Sequence, residues 1–252
     1  MHTPELRHQA LALVAQGIND CEIARRLGVP RTTVREWRAP HYVAAHSSVC
    51  PRCWKRAKPL AFSAEDYALL LGLYLGDGCI SRMGRTFRLR IHLDTKYGEI
   101  IRETTELLER CFRPAPVGVN VKDGGSCAVV GVYSNHLPCL FPQHGPGKKH
   151  ERRIELECWQ QSSVDAAPWS FVRGLIWSDG CTFMNRTGPY EYLSYGFTNR
   201  STHIIDLLIE TYTSLGLRPS VSRPVPDGRP GQVRINHRGD VAQLVEHVGI
   251  KR

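Results

Sequence analysis

The chain has 252 residues, 42% of them hydrophobic, and carries 33 Lys and Arg against 24 Asp and Glu for a formal net charge of +9. That length buries a core, in two or three modest units more readily than in one, and no apolar run approaches the roughly 20 residues of a membrane span. The opening MHTPELRHQA lacks the apolar stretch of a secretion signal, so the expected location is inside the cell, in the cytoplasm. Nine Cys, an odd number, read as reduced thiols with at most one metal site, not as a disulfide framework. The basic excess points to a polyanionic partner, although charge alone fits a merely basic surface equally well.

The charge is concentrated at the front, where residues 1–58 hold ten Lys and Arg against Glu5, Asp20, Glu22 and Glu36. There LRHQALALVAQG predicts a helix ending at Gly17, CEIARRLG a second ending at Gly28, and PRTTVREWR a third that opens on a proline. Ile23, Ala24, Leu27, Val34 and Trp37 fall at helical spacing on a shared inner face. A short connection through Gly28 and Val29 predicts that helix three crosses helix two, as in a helix-turn-helix. Helix three then presents Arg31, Thr32, Thr33 and Arg35 to a major groove, Arg for guanine edges or phosphates, Thr for phosphates or a thymine methyl. The run through I-A-x-x-L-G-V to T-V-x-x-W resembles the helix-turn-helix of bacterial regulators and transposases. Residues 1–40 are therefore expected to be a DNA-binding domain.

Residues 41–62 read as a linker, broken by Pro51 and Pro59. Within it Cys50 and Cys53 form a C-x-x-C turn, the spacing at which two thiolates share a Zn²⁺, with His41 and His46 or the more distant Cys139, His144 and His150 as further ligands. One such turn is half a zinc signal, and a plain reduced turn is the other reading.

Beyond the linker the chain repeats itself. LLGLYLGDGCI in the first unit recurs as VRGLIWSDGCTF in the second, with Gly174 over Gly72 and Asp179 over Asp77, an offset of 102 residues (179 − 77). Arg85-Thr86 matches Arg186-Thr187, and Arg113-Pro114 matches Arg218-Pro219, so a whole unit is duplicated. The expected units are residues 63–165 and 166–252, each reading αββαββα in an α+β fold. A glycine in the middle of each apolar helix predicts close packing of one against the other. If the helices pair in parallel about a pseudo-twofold axis, Asp77 and Asp179 emerge side by side, with Gly78 and Gly180 in the positive-φ conformation that closes a helix. Two carboxylates at the negative ends of two helix dipoles repel, so divalent cations are expected there. Oxygen ligands with open positions suit Mg²⁺, which can activate water for phosphodiester hydrolysis.

These two motifs resemble the signature motifs of single-chain LAGLIDADG, or dodecapeptide-type, homing endonucleases over residues 63–252. The resemblance implies a DNA-binding saddle of antiparallel strands and two or three Mg²⁺ ions held by Asp77 and Asp179 with the Gly76 and Ser178 carbonyls. It implies double-strand breaks across a minor groove and a basic residue beside each metal. Lys148 and Lys149 in the loop HGPGKKHERRI fill that role in the first unit. Lys251 is its match in the second, but its place next to the chain end reads as a solvated lysine. Leu75 and Gly76 depart from the acidic residue and Ala common at their positions. In TFRLRIHLD, Phe87, Leu89, Ile91 and Leu93 alternate with Arg88, Arg90, His92 and Asp94, which puts the basic set outward. The second unit offers Tyr190, Tyr192, Asn199 and Arg200, then Arg234, Asn236 and Arg238. The expected protein is a monomeric, Mg²⁺-dependent endonuclease on double-stranded DNA, without membrane contact. A bacterial sporulation regulator also resembles this family, so a transcription factor that binds without cutting is the alternative.

Overall fold

Asn19 starts the turn that organises the N-terminal helices, accepting hydrogen bonds from the Cys21 and Glu22 amides at 3.1 and 3.0 Å and so capping α2. The protein is described by a computed structural model that covers residues 4–38, 62–122, 124–225 and 229–251. Helices α1 (Pro4–Ala15), α2 (Asp20–Leu27) and α3 (Arg31–Arg38) stand where the sequence places them. Gly17 and Gly28, at φ of 78° and 63°, take the left-handed backbone that ends α1 and α2. Ala10, Ile23, Val29, Val34 and Trp37 are buried between the three helices, with Ala24 and Leu27 at the margin. The apolar set with helical spacing is thus the core of a small bundle. Arg31, Thr32 and Arg35 lie exposed on α3, whereas Thr33 is half-buried. His41, His46, Cys50 and Cys53 lie outside the described residues.

The first repeat runs α4 (Ala64–Leu75), β1 (Gly78–Met83), β2 (Thr86–Asp94), α5 (Gly98–Phe112), β3 (Val117–Val121), β4 (Cys127–Tyr133) and the short α6 (Leu137–Leu140). A connecting helix α7 (Cys158–Ala166) leads into α8 (Pro168–Asp179), β5 (Gly180–Thr187), β6 (Tyr190–Asn199), α9 (Thr202–Ser214), β7 (Ser220–Ser222), β8 (Gly231–Ile235) and α10 (Arg238–His247). Both sheets are antiparallel with the same order, β1-β2-β4-β3 and β5-β6-β8-β7. Period two holds: Leu89, Ile91 and Leu93 of β2, Val130 and Val132 of β4, Tyr195 and Phe197 of β6, and Val233 and Ile235 of β8 all turn inward. They join the buried faces of α4 and α8 in one core that spans both repeats.

The α4–α8 seam is a contact between backbones. A Cβ on Gly72 would lie 2.5 Å from the Phe171 carbonyl oxygen and 2.9 Å from the Gly174 Cα, and one on Gly174 would lie 2.8 Å from the Leu73 nitrogen. Gly76 carries the close approach to the helix ends, since its Cβ would overlap the Ser178 side chain. The position where the common motif has Ala is therefore a glycine because its neighbour across the seam is a serine. Ser178 turns its hydroxyl back to the Gly174 and Leu175 carbonyls at 2.9 and 3.0 Å.

Two expectations are corrected here. Gly78 and Gly180 are not left-handed: Gly180 is extended at φ −91°, and Gly78 is absent from the glycines of positive φ. Both are glycine because a Cβ would sit 2.5 Å from the Cα of Tyr74 or Ile176, one turn back in the preceding helix. The match of Arg85-Thr86 with Arg186-Thr187 is also not structural. Thr86 opens β2 opposite Met83, while Thr187 closes β5 opposite Tyr190. The equivalent turn residues are Gly84 and Gly188, at φ of 57° and 58°, each first in a two-residue hairpin loop.

Candidate active site and nucleic-acid interface

Asp77 follows α4 and Asp179 ends α8, so the parallel seam delivers both carboxylates to one end of the helix pair, half-buried. Two lysines meet them. The Lys149 ammonium donates to the Tyr74 and Leu75 carbonyls at 2.6 and 2.9 Å and to that of Gly76, closing the end of α4. The Lys251 ammonium donates to the Ser178 and Gly180 carbonyls at 2.6 and 2.8 Å, closing the end of α8. These carbonyls carry the negative pole of each helix, which a cation stabilises. Each lysine caps the helix of its own repeat and feels the charge of both aspartates, and Lys251 also lies 5.0 Å from the Tyr97 ring centre in the first repeat.

Burial is the largest influence on all four groups. It raises Asp77 above the usual carboxylate range against the pull of Lys251 and Lys149. It lifts Asp179 to about 6, helped by the Asp77 charge and opposed by Lys149 and the Asn199 amide. It brings Lys149 down to about 8 and lowers Lys251, while both aspartates pull the other way. Two carboxylates and two ammonium groups therefore sit together, and the repulsion that argued for metal is already partly offset by the chain itself.

The two lysines come from loops that are held firmly. Around the Lys149 loop, Gln143 donates to the Glu155 carbonyl at 2.6 Å and to Gln160 at 2.5 Å, and Gln160 donates to the Tyr67 hydroxyl at 2.7 Å. Lys148 does not reach the aspartates: its side chain is 71% exposed and pairs with Glu151 at 3.4 Å. Lys251, read from the sequence as solvated, is partly buried, because the Thr182 and Tyr195 hydroxyls donate to the Lys251 and Gly249 carbonyls at 3.0 and 2.8 Å. The signal for it was in the chain: Lys149 and Lys251 are 102 residues apart (251 − 149), the same offset as the aspartates. Asn199, offered by the sequence beside Tyr190, Tyr192 and Arg200, donates to the Asp179 carboxylate at 2.6 Å. In the first repeat His92 Nδ1 lies 3.3 Å from the Asp77 carbonyl oxygen, a contact the sequence reading missed.

The outward face of the first sheet is basic. Arg88, Arg90 and His92 alternate with the buried residues of β2. Ser81 accepts from Arg90 at 2.8 Å, and the Arg88 guanidinium lies 5.3 Å from the ring centre of Tyr133, its partner across the ladder. The Nε atoms of both arginines are shielded from solvent without a hydrogen-bond partner. The second sheet differs. Gly78 pairs with Ile91 and Gly180 with Phe197, so Ser194, Gly196 and Thr198 occupy the places of Arg88, Arg90 and His92. Arg234 on β8 is exposed, donates to Gln232 at 2.9 Å and lies 5.8 Å from the Phe183 ring centre, while Arg186 on β5 is exposed and paired with Glu191. Tyr190 is 72% exposed, and Tyr192 accepts from Asn185 at 3.2 Å. Asn236 lies past β8, half-buried, and Arg238 opens α10. Arg200 is exposed at the mouth of a pocket of about 310 Å³ beside Asp179. Cys139 and His144 are half-buried and His150 is exposed; among the described residues no group of three or more His, Cys, Asp or Glu is placed to hold a metal ion. No described helix is long and apolar enough to cross a membrane.

A family of homeodomain-like domains matches residues 1–39. No curated protein matches in sequence. Among solved structures, mesophilic variants of the homing endonuclease I-DmoI are 16% identical with a TM-score of 0.50, covering 74% of this chain and 96% of theirs, and share the fold. I-DmoI in complex with DNA and Ca is 16% identical at a TM-score of 0.49, over 74% of this chain and 90% of that one. Full-length DUF199/WhiA from Thermatoga maritima is 16% identical at 0.49, over 78% of this chain and 59% of that one.

Proposed function

We propose that the chain is a monomeric, site-specific DNA endonuclease of the LAGLIDADG type, in which residues 1–40 tether a duplicated saddle, residues 63–165 and 166–252, to double-stranded DNA. One observation carries the reading: Asp77 and Asp179 leave the α4–α8 seam at one end, where the Lys149 and Lys251 ammonium groups close the two helix ends and His92 of β2 lies 3.3 Å from the Asp77 carbonyl oxygen. Guanidinium groups on the face of β2 away from the core suit phosphates and guanine edges. Residues two apart on a strand lie roughly 7 Å from each other, and each DNA strand carries a phosphate about every 3.4 Å of helix axis. The fold shared with a homing endonuclease adds support.

The donors at the helix ends are all oxygen, the Asp77 and Asp179 carboxylates and the Gly76 and Ser178 carbonyls, and they fit Mg²⁺. The two carbonyls also accept from Lys149 and Lys251, so these lysines share the ground on which a cation would sit. When bound, Mg²⁺ supplies an activated water and neutralises charge on the leaving oxygen. The chain's own part is to hold Asp77 and Asp179 within a rigid seam and to keep two ammonium groups beside the phosphate, where they offset charge as a bond breaks. Asn199 orients Asp179 and leaves one of its oxygens unspent.

The homeodomain-like match at residues 1–39 favours a second reading, a regulator that binds DNA without cutting. Plasmid carrying a site selected by binding separates the two: the endonuclease converts it to linear DNA with Mg²⁺, and Asp77→Asn does not. Equal cutting by Asp77→Asn would remove that residue from the chemistry.

A further inference from the structure

The two aspartates have unequal surroundings. The register that places Gly196 at the position of Arg90 also places Asn199 where Leu93 stands, and Arg200 where Asp94 stands. In the first repeat Leu93 is buried and Asp94 pairs with Lys96 at 3.0 Å, so this corner carries an anion already matched to a cation. In the second repeat Asn199 binds the Asp179 carboxylate at 2.6 Å, and Arg200 follows it at the pocket of about 310 Å³. Gly76, Lys149, His150 and Asp179 complete the parts of its wall that bear on the chemistry. The pocket spans the seam, since Gly76, Lys149 and His150 come from the first repeat and the others from the second. Its donors are the Arg200 guanidinium and the His150 imidazole, with the positive charge of Lys149 beside them, set around one carboxylate, which suits an anion with several oxygens.

We infer that this pocket seats the phosphodiester of one DNA strand beside Asp179, with Arg200 gripping its non-bridging oxygens, and that the strand beside Asp77 has no matching grip. The inference rests on the endonuclease reading for its consequence, which is order: the strand seated against Arg200 is cut in register with Asp179, and loss of the grip slows that strand alone. Arg200 is a positioning residue in this scheme. The bond broken is the same phosphorus–oxygen bond in both strands, and water supplies the entering oxygen.

Two readouts keep the inference apart from the reading on which it rests. In the first, the intact protein is titrated with the thymidine dinucleotide, a lone phosphodiester, while the Asn199 side-chain amide is followed by NMR. The expected result is a saturable shift whose midpoint rises at least fivefold in Arg200→Ala, is largely restored in Arg200→Lys, and is unchanged in Arg153→Ala, an exposed arginine paired with Glu155. An unchanged midpoint in Arg200→Ala overturns the inference whether or not the protein cuts DNA. In the second, supercoiled plasmid bearing the selected site is digested with Mg²⁺, and Arg200→Ala should accumulate nicked circles at least tenfold over wild type, always cut in the same strand. Equal slowing of both strands overturns it. Wild-type protein that cuts nothing defeats the endonuclease reading alone, and the seat then stands or falls by the titration.

Discussion

At the seam the two repeats are near copies: Gly72 meets Gly174, Gly76 meets Ser178, and Lys149 closes α4 as Lys251 closes α8. On the inner strands of the sheets they part, with Arg88, Arg90 and His92 of β2 replaced by Ser194, Gly196 and Thr198 on β6. The difference follows from what each surface touches. A residue at the seam touches its own duplicate, so a change on one side collides with backbone on the other. A residue on the other face of the sheet touches only side chains of its own sheet, as Arg90 touches Ser81 and Arg88 Tyr133, so each copy is free to change without regard to the other.

The largest effect should come from breaking the seam. Gly174→Ala puts a methyl group against the Leu69 carbonyl and the Leu73 nitrogen, backbone atoms that cannot swing aside. Urea unfolding should show a loss of about 3 kcal/mol, the upper end of overpacking costs. Gly98→Ala, with nothing within 4 Å of the new carbon, should stay within about 0.5 kcal/mol of the parent.

Next come the lysines. Lys149→Met and Lys251→Met should each lower single-turnover cleavage about 100-fold, with DNA binding in Ca²⁺ changed far less. Equal losses sharpen the twofold picture of the site; an unchanged rate for Lys251→Met would break it.

A contact of the second repeat alone ranks third. Asp240, 3% exposed, accepts from the Arg218 backbone nitrogen at 3.0 Å and from its guanidinium at 3.1 and 2.8 Å. The Arg218 hydrogen bonds hold its pKa below the ordinary carboxylate value. A carboxylate whose pKa is depressed by folding contributes stability above its unfolded pKa, about 3.9, and loses that contribution as pH falls through the lower folded value. Asp240→Asn should cost about 2 kcal/mol at neutral pH, and the gap between variant and parent should close in acid below about pH 4.

The smallest effects separate the two sheets. Arg88→Ala and Arg90→Ala should each weaken DNA binding by about 1 kcal/mol and flatten its dependence on salt. Ser194→Ala and Thr198→Ala, at the equivalent places on β6, should change binding by less than about 0.5 kcal/mol.

The sequence disclosed the repeat, the seam and the outward arginines because each rests on a local rule: helical spacing, a glycine where backbones meet, alternation along a strand. Gly17 and Gly28 ended their helices for the expected reason, whereas Gly78 and Gly180 are glycines because the helix just before them leaves no room for a Cβ. Asn199 falls on the inward period of its strand, after Tyr195 and Phe197, and its bond to Asp179 lies between elements 20 residues apart, which no local rule discloses. Lys251 was undervalued because nearness to a chain end says nothing of the two hydroxyls that hold its backbone. Its offset from Lys149 carried the information, and a residue-by-residue comparison of the two copies recovers it.

The central claim is that the aspartate pair cuts DNA. The measurement that meets it most directly is digestion of a randomised plasmid library by the purified protein in Mg²⁺, with sequencing of every end produced, beside the same digestion by Asp77→Asn. Recurrent paired ends at one long sequence, absent from the variant, are the predicted result. DNA retained by the protein in Ca²⁺ but left without ends in Mg²⁺ would contradict the claim and leave a DNA-binding regulator.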